Sequence, residues 1–364
     1  MPEIASTPAQ MPPPGSLTDI DAVWLTEALR AGGHTQAAVA SIAVEPLAFT
    51  GATTDMARIV LTYEQSGKPG PRSAIVKLRG RDELRTQMDA VMSLFAREAS
   101  FYFELAVDVP VRTPAAWCVG DGNEHPLVLE DLGHLRLGDQ SEGLSTADAA
   151  AILDALAAMH ARFWEFPDGA PAWLNRPTEP MFKQIITQLV SSGAAALAER
   201  FADLVPQTVL DQAIAAAPRW GELLEFLARG PNTLVHNDCR LDNLFFEPDG
   251  TPVFVDWQLV ACTRGIRDVS NLLAGSMDSE DLASSWEGLL RGYHARLRDG
   301  GVHDYSFDDC VLDYRRNIVW ALGQGMALLG SLGGGDERGV GARIIRRALP
   351  HIAELASFDA LVLS

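Results

Sequence analysis

A chain of 364 residues, 47% of them hydrophobic, exceeds the length that a single core usually supports, so two substructures are expected. Its formal net charge of −19 repels phosphate backbones and anionic lipids, which argues against nucleic-acid and membrane partners. Four widely separated cysteines form no CxxC pair, so neither a zinc site nor a disulfide framework is expected. No basic segment followed by an apolar stretch opens the chain, so no signal peptide is expected and the sequence predicts a cytoplasmic protein.

The first part of the chain predicts a compact α+β lobe. Residues 1–15 are rich in proline and predict a disordered tail, and a capped amphipathic helix is expected over residues 16–30. Alternating apolar residues bounded by turn signals then predict strands, and one long helical pattern lies among them. The strands are predicted over 44–49, 56–63, 73–78, 117–119 and 126–130, and the helix over 82–105.

The remainder of the chain is mainly helical in pattern. Ser145 or Thr146 can cap a first helix, whose apolar stripe recurs at helical spacing. A polar loop and a short hairpin interrupt the helical pattern at 234–256, and such a loop is a natural place to present catalytic groups. Further helices are predicted over 180–229, 279–298, 307–330 and 337–357.

The interrupting loop contains the residues that phosphoryl transfer requires. That reaction needs a carboxylate beside the acceptor hydroxyl, together with an amide and a carboxylate that hold Mg²⁺ on the phosphates. Asp238 and Asn243 have the spacing of a kinase catalytic loop, and Asp256 follows at the end of the hairpin. We therefore expect Asp238 to orient the hydroxyl and accept its proton, and Asn243 and Asp256 to bind the metal.

The motif HNDCRLDN with the later VDWQ resembles the aminoglycoside phosphotransferase and choline kinase superfamily, whose pattern is H-G-D-x-x-x-x-N followed by an Asp. The segments VDWQ, REASFYFELA and AMHARFW resemble its ecdysteroid-kinase-like branch and the bacterial relatives of that branch. The resemblance covers residues 47–273. It implies an α+β, bilobal, protein-kinase-like fold, with an ATP-binding N-lobe at 16–131 and a mostly helical C-lobe at 132–364 that carries the catalytic loop and substrate pocket. It also implies ATP, Mg²⁺ and a small hydroxylated substrate.

The resemblance also assigns roles in the first lobe. Lys77 occupies the position of the kinase lysine that grips the α- and β-phosphates, and Glu98 in the following helix is expected to pair with it. Glu83 is nearer in sequence, but acidic residues are common in the first turn of a helix for dipole reasons alone.

Two further segments of this lobe are assigned to the nucleotide. The turn that contains Gly51, Thr53 and Thr54 would cover the phosphates. The carbonyl of Glu130 and the N–H of Leu132 would read adenine, although an ordinary strand edge is equally compatible with those residues.

The loop departs from the family pattern at one position and leaves several roles open. Asn237 replaces the usual glycine, and asparagine tolerates left-handed backbone better than most residues. Arg240 either stabilises developing charge or pairs with a carboxylate of the loop. By the resemblance, His236 supports the loop rather than acting as a base, and Asp268 belongs to a structural element behind it.

Other functions fit parts of the sequence. A metal-dependent hydrolase could use His236 and Asp238 as ligands, but further histidines at ligand spacing are missing. A nucleotide-binding protein without transferase activity and a nucleotidyltransferase on the same fold remain as alternatives. The acceptor is open among antibiotic, sterol-like alcohol, amino alcohol and sugar, because its pocket is expected in the variable helices of the C-lobe.

Overall fold

The computed structural model describes residues 12–47, 54–119, 126–331 and 339–361. The chain forms two compact units. The first consists of Met1–Leu135 and Phe254–Leu259, and the second of Arg136–Val253 and Val260–Ser364. The mixture of helices with an antiparallel sheet in the N-terminal region confirms the predicted α+β fold class.

The first unit is built on an antiparallel sheet with three helices and a π-helical turn, Phe101–Leu105. Its strands are β1 Val39–Pro46, β2 Thr54–Tyr63, β3 Ser73–Arg79, β4 Ala116–Cys118 and β5 Leu127–Glu130, and its helices are α1 Ala22–Ala31, α2 Glu83–Met92 and α3 Leu94–Ser100. The strand order is β1-β2-β3-β5-β4.

One face of this sheet packs against α1. Trp24 and Leu29 of the helix share a buried cluster with Ile59 of β2 and Val76 of β3. Because successive side chains of a strand point to opposite faces, Lys77 projects from the other face of the sheet. The strand alternation thus separates the apolar core of this unit from its one buried lysine.

The predicted helix over 16–30 was wrong at its start. The helix begins at Ala22, because Asp21 supplies the cap: its Oδ1 accepts the N–H of Trp24 at 2.7 Å. Ser16 instead donates its hydroxyl to the side chain of Asp19, at 2.9 Å.

The long helix predicted over 82–105 is also corrected. Ser93 has a left-handed φ of 51° and separates α2 from α3. Asp89 stabilises this break, because its carbonyl accepts the N–H of Ser93 at 2.7 Å and its carboxylate accepts the N–H of Phe95 at 2.8 Å.

The first predicted strand is displaced as well. The strand expected over 44–49 runs from Val39 to Pro46, paired with β2, and positions 48 and 49 lie outside the described residues. The proline ends the strand because it has no N–H for the ladder.

The second unit is mainly helical, as predicted. Its helices are α4 Thr146–Arg162, α5 Pro180–Arg200, α6 Gln207–Ala216, α7 Trp220–Leu227, α8 Ile266–Ser276, α9 Ser279–Asp299, α10 Phe307–Ser331 and α11 Val340–Glu354. Its short strands are β6 Arg136–Leu137, β7 Thr233–Val235, β8 Leu244–Phe246, β9 Pro252–Phe254 and β10 Ala261–Thr263, of which β9 ends on a residue of the first unit.

Several boundaries in this unit differ from the expectation. Ser145 does cap α4, accepting the N–H of Asp148 at 3.1 Å. The pattern over 180–229 is divided into α5, α6 and α7, with Pro206 and Pro218 at the breaks. The helix expected over 337–357 runs from Val340 to Glu354, and its first two expected positions lie outside the described residues.

Helix α8 lies at the centre of the second unit, since all eleven of its residues are buried. The helix follows β10, which pairs antiparallel with β7. This pairing holds in place the strand that precedes the loop at 236–243. Within the part of the chain that the structure describes, no helix has the length and apolarity needed to cross a membrane.

Candidate active site

The first group of functional side chains lies in the first unit, around Lys77. Its Nζ is 2.8 and 3.0 Å from the two carboxylate oxygens of Glu98, and 3.3 Å from Oδ1 of Asp256. Lys77 and Glu98 are buried. Glu83, the nearer carboxylate in sequence, is exposed and accepts from Gln87 instead, at 3.3 Å.

Burial and the neighbouring charges shift the pKa values of Lys77 and Glu98. Burial acts to lower the pKa of Lys77, but the carboxylates of Glu98 and Asp256 outweigh it and leave that pKa above its ordinary value. Burial raises the pKa of Glu98, and Lys77 opposes this shift. The lysine is therefore a fixed positive charge on the sheet, which suits it to hold an anion such as a phosphate.

Asp256 is held on a short segment that belongs to the first unit. Its backbone has a left-handed φ of 65°, and its Oδ2 accepts from Nε2 of Gln258 at 3.1 Å. The side chain is 25% exposed, so it faces both Lys77 and solvent. A carboxylate that is only partly neutralised and reaches solvent can also bind a cation.

An aromatic stack anchors this segment. The indole of Trp257 lies parallel to the ring of Phe101, with centroids 3.9 Å apart and planes 9° apart, and its Nε1 donates to the carbonyl of Phe254. The backbone N–H of Trp257 also hydrogen-bonds Glu98. The same short segment thus positions Asp256 and orients the partner of Lys77.

The second group lies in the second unit, on the loop after β7. The amide Nδ2 of Asn243 donates at 2.9 Å both to the backbone carbonyl and to Oδ2 of Asp238. The two residues that the sequence spacing singled out are therefore in direct contact. Both of these contacts use the amide nitrogen of Asn243, and neither uses its amide oxygen.

Asp268 of α8 holds the backbone of the loop at 236–243 by hydrogen bonds. Its two carboxylate oxygens accept the backbone N–H groups of His236 and Asn237, each at 2.7 Å, and it is fully buried. Asn237 has a φ of 67°, so the left-handed backbone that the sequence suggested for this position is present. His236 accepts the N–H of Asp238 at its Nδ1, at 3.3 Å, which is a supporting contact.

Arg240 contacts the carboxylates of its own loop. Its Nε lies 3.3 Å from Asp238, and its Nη1 donates to Asp242 at 2.9 Å. The sequence left two roles open for Arg240, stabilisation of developing charge and pairing with a carboxylate of the loop. The structure shows the pairing. The guanidinium therefore places a positive charge beside Asp238.

The remaining predicted residues lie in the first unit or outside the described chain. Gly51 and Thr53 lie outside the described residues, and Thr54 is buried as the first residue of β2. The side chain of Glu130 accepts from Nη2 of Arg112 at 2.7 Å, and the backbone carbonyl of the buried Leu132 accepts from Leu135 at 2.8 Å. None of these contacts bears on how adenine would bind.

Gln140 is a site residue that the sequence did not reveal. Its side chain is buried, and its Oε1 accepts the N–H of Leu241 at 3.1 Å while its Nε2 donates to the carbonyl of Gly275 at 2.6 Å. It therefore joins the loop to the end of α8. Its contacts are about a hundred positions away in sequence, so no local pattern identifies it.

The set of metal ligands that a metal-dependent hydrolase would need is not found among the described residues. Among the described residues, no group of three or more His, Cys, Asp or Glu side chains is arranged to hold a metal ion. The four cysteines are buried thiols.

A sequence model of the ecdysteroid kinase-like family matches residues 50–301 of the chain. No curated protein matches it. The choline kinase of Cryptosporidium parvum is similar in structure, with a TM-score of 0.51, 11% sequence identity and 87% of each chain covered. At that identity the likeness shows a shared fold.

Two bacterial structures resemble the chain less closely. The choline kinase LicA of Streptococcus pneumoniae has a TM-score of 0.49 and 15% identity, with 86% of this chain and 93% of that one covered. The macrolide 2'-phosphotransferase of Brachybacterium faecium has a TM-score of 0.44 and 13% identity, with 87% and 95% covered.

Proposed function

The chain belongs to the ecdysteroid kinase-like family, within the protein-kinase-like superfamily, and from that premise we propose that it transfers the γ-phosphate of ATP to a hydroxyl of a small molecule. The observation that carries the proposal is the buried ion pair of Lys77 and Glu98, with Asp256 in contact with the same ammonium. Burying a lysine between two carboxylates costs desolvation free energy. Binding of the phosphates of a triphosphate is a function that would explain why this charge is kept.

In the proposed reaction, Asp238 orients the acceptor hydroxyl and accepts its proton. The Nε of Arg240 lies 3.3 Å from Asp238 and places a positive charge beside that carboxylate. Lys77 binds the α- and β-phosphates, and Glu98 keeps the ammonium in place. Asn243 restrains the side chain of Asp238 through its amide N–H.

The donor atoms fit Mg²⁺. Both contacts of Asn243 to Asp238 are made by its amide nitrogen, so the amide oxygen is used in neither. Asp256 adds a carboxylate that is partly exposed. An amide oxygen and a carboxylate are hard oxygen ligands of the kind that Mg²⁺ prefers, so we assign Asn243 and Asp256 to hold it. When bound, the metal neutralises charge on the phosphate oxygens.

The nucleotide base and the phosphate cover remain as proposed from the resemblance. Glu130 and Leu132 would contact adenine through their backbone groups, and the turn that contains Gly51, Thr53 and Thr54 would cover the phosphates. The chain would act as a cytoplasmic enzyme.

The test is phosphorylation of a library of hydroxylated small molecules with ATP and Mg²⁺, read by mass spectrometry. We expect a product that gains one phosphate group, and we expect Asp238→Asn to abolish it while Asp249→Asn, at the exposed tip of the hairpin, retains it. Binding of ATP without any turnover, or a product that carries a nucleotide instead of a phosphate, would overturn the proposal.

A further inference from the structure

The guanidinium of Arg267, in α8, is buried without an ion pair among the described residues. The residue is 1% exposed, and its Cζ lies 3.4 Å from the centroid of the Trp320 ring on α10. Its Nε and Nη2 have no hydrogen-bond partner in the part of the chain described. The charge that acts on it is that of Asp268, whose oxygens already accept from His236 and Asn237.

A buried charge without a hydrogen-bonded partner is expensive, so proteins usually pair it. Arg264, one turn earlier, is a useful contrast, because it is also buried but forms an ion pair with Asp313. Burial lowers the pKa of Arg267 to about 9, so the side chain still carries its charge at neutral pH. The folded chain therefore holds a positive charge for which it supplies no hydrogen-bonding anion among the described residues.

The two unpartnered nitrogens define the shape of the missing partner. Nε and Nη2 lie on one edge of the planar guanidinium, and that edge binds both oxygens of a carboxylate in parallel. The ring of Trp320 covers one face of the guanidinium. An anion is thus expected at the edge, in the plane of the group.

Residues near Arg267 and Trp320 contact the loop that carries Asp238. Gln324 lies one turn after Trp320 on α10, and its Nε2 donates to the carbonyl of Asn237 at 3.3 Å. Asp268, the neighbour of Arg267, holds the N–H of the same asparagine. Gln324 is partly exposed, so the cluster reaches the surface at this side chain, and its buried Oε1 has no hydrogen-bond partner among the described residues either.

We propose that Arg267 binds a carboxylate of the phosphate acceptor, which makes the acceptor a small hydroxy acid. This deepens the proposed function and rests on it for the reaction, though not for the binding. The net charge of −19 does not oppose it at contact distance, because solvent screens distant charges while a buried ion pair is screened much less.

The first experiment compares lactate, glycerate and mandelate with their primary amides as acceptors. We expect the best acid to exceed its amide in kcat/KM by about 100-fold, as a desolvated charge contact usually contributes. Arg267→Met should bring this ratio close to one, mainly through KM, and Arg267→Lys should restore part of it. An amide that reacts as well as its acid would overturn the inference.

The second experiment measures thermal unfolding and needs no turnover. Because Arg267 is unpaired, we expect Arg267→Met to unfold at or above the Tm of the wild type, and to lose the rise in Tm that the acids give the wild type. Arg264→Met, the matched control, should lower Tm and keep the response to the acids. A lower Tm for Arg267→Met with an unchanged response to the acids would show a purely structural arginine.

The two proposals fail separately. If the acids raise the Tm of the wild type but not of Arg267→Met, and nothing is phosphorylated, the carboxylate site stands and the kinase proposal falls. If neutral alcohols are phosphorylated equally by both proteins, the kinase proposal stands and the carboxylate site falls.

Discussion

In the first unit, the proposal assigns phosphate binding to a group of three residues, Lys77, Glu98 and Asp256. Lys77 is at the centre of this group, since its ammonium contacts both carboxylates. Its ammonium is held by Glu98 at 2.8 Å and Asp256 at 3.3 Å, and its pKa lies above the ordinary value. Two carboxylates therefore contact this one ammonium. Under the proposed function, a metal ion held by Asp256 would add positive charge beside the phosphates.

We expect Lys77→Met to lower kcat/KM for ATP by about 100-fold or more, because it removes a preorganised charge from the phosphates. Steady-state kinetics at varied ATP measure the loss, and circular dichroism checks the fold. Lys68→Met is the control, since Lys68 is exposed in a turn. Full activity in Lys77→Met would remove Lys77 from the site.

At the scale of elements, the loop at 236–243 is shaped by its neighbours rather than by its own propensity. Asp268 of α8 accepts two of its backbone N–H groups, and Gln140 accepts a third, that of Leu241. A buried N–H left without an acceptor costs about 1–3 kcal/mol, so these contacts select one loop conformation over others. The helix and the glutamine therefore shape the loop that carries Asp238 and Asn243.

We expect Asn237→Gly to keep full activity, because the φ of 67° suits glycine. Asn237→Val should lose about 1–3 kcal/mol of stability and most of the activity, since a β-branched residue is strained in that conformation. Urea unfolding and the kinase assay on the same preparations measure both effects. An active and stable Asn237→Val protein would mean that the loop tolerates another backbone conformation.

The sequence predicts elements well where the pattern is local. Strands β2, β3 and β5 alternate clearly and lie within a residue or two of their predicted bounds. Helix α8 was not predicted, because buried polar residues such as Arg267 and Asp268 interrupt its apolar pattern. Strand β10 has only three residues, and its identity depends on pairing with β7.

The residues of the candidate site likewise fall into those that a local sequence pattern identifies and those that it does not. The spacing of the motif brought Asp238 and Asn243 together as candidates, and the family resemblance paired Lys77 with Glu98; the structure contains both contacts. The support from Gln140 could not be found, because its partners are far away in sequence. The unpaired state of Arg267 is likewise visible only when every neighbour is known.

At the scale of the whole molecule, acid should weaken the fold through His351, which is buried, and His34, which is partly exposed. Burial lowers the pKa of His351 below 6.5, although Glu354 opposes the shift, and burial also lowers the pKa of His34. The unfolded chain then takes up protons at a higher pH than the folded chain does. Stability is therefore complete above about pH 6.5 and falls as the pH is lowered through the depressed values.

We expect the Tm to fall as the pH is lowered from about 8 to about 5, and His351→Gln to reduce the slope of that fall. Thermal unfolding in a series of buffers measures it. His303→Gln is the matched control, since His303 is exposed and its replacement should leave the slope unchanged. A Tm that does not respond to His351→Gln over this range would exclude His351 as a source of acid sensitivity.

The six residues from Phe254 to Leu259 belong to the first unit, although they are encoded after more than a hundred residues of the second. A gene fragment that ends at Leu135 would leave Phe101 without its stacked indole and Lys77 without Asp256. The first unit therefore has to be completed by a late part of the polypeptide, and ribosome-bound nascent chains should remain unable to finish it until that part has emerged.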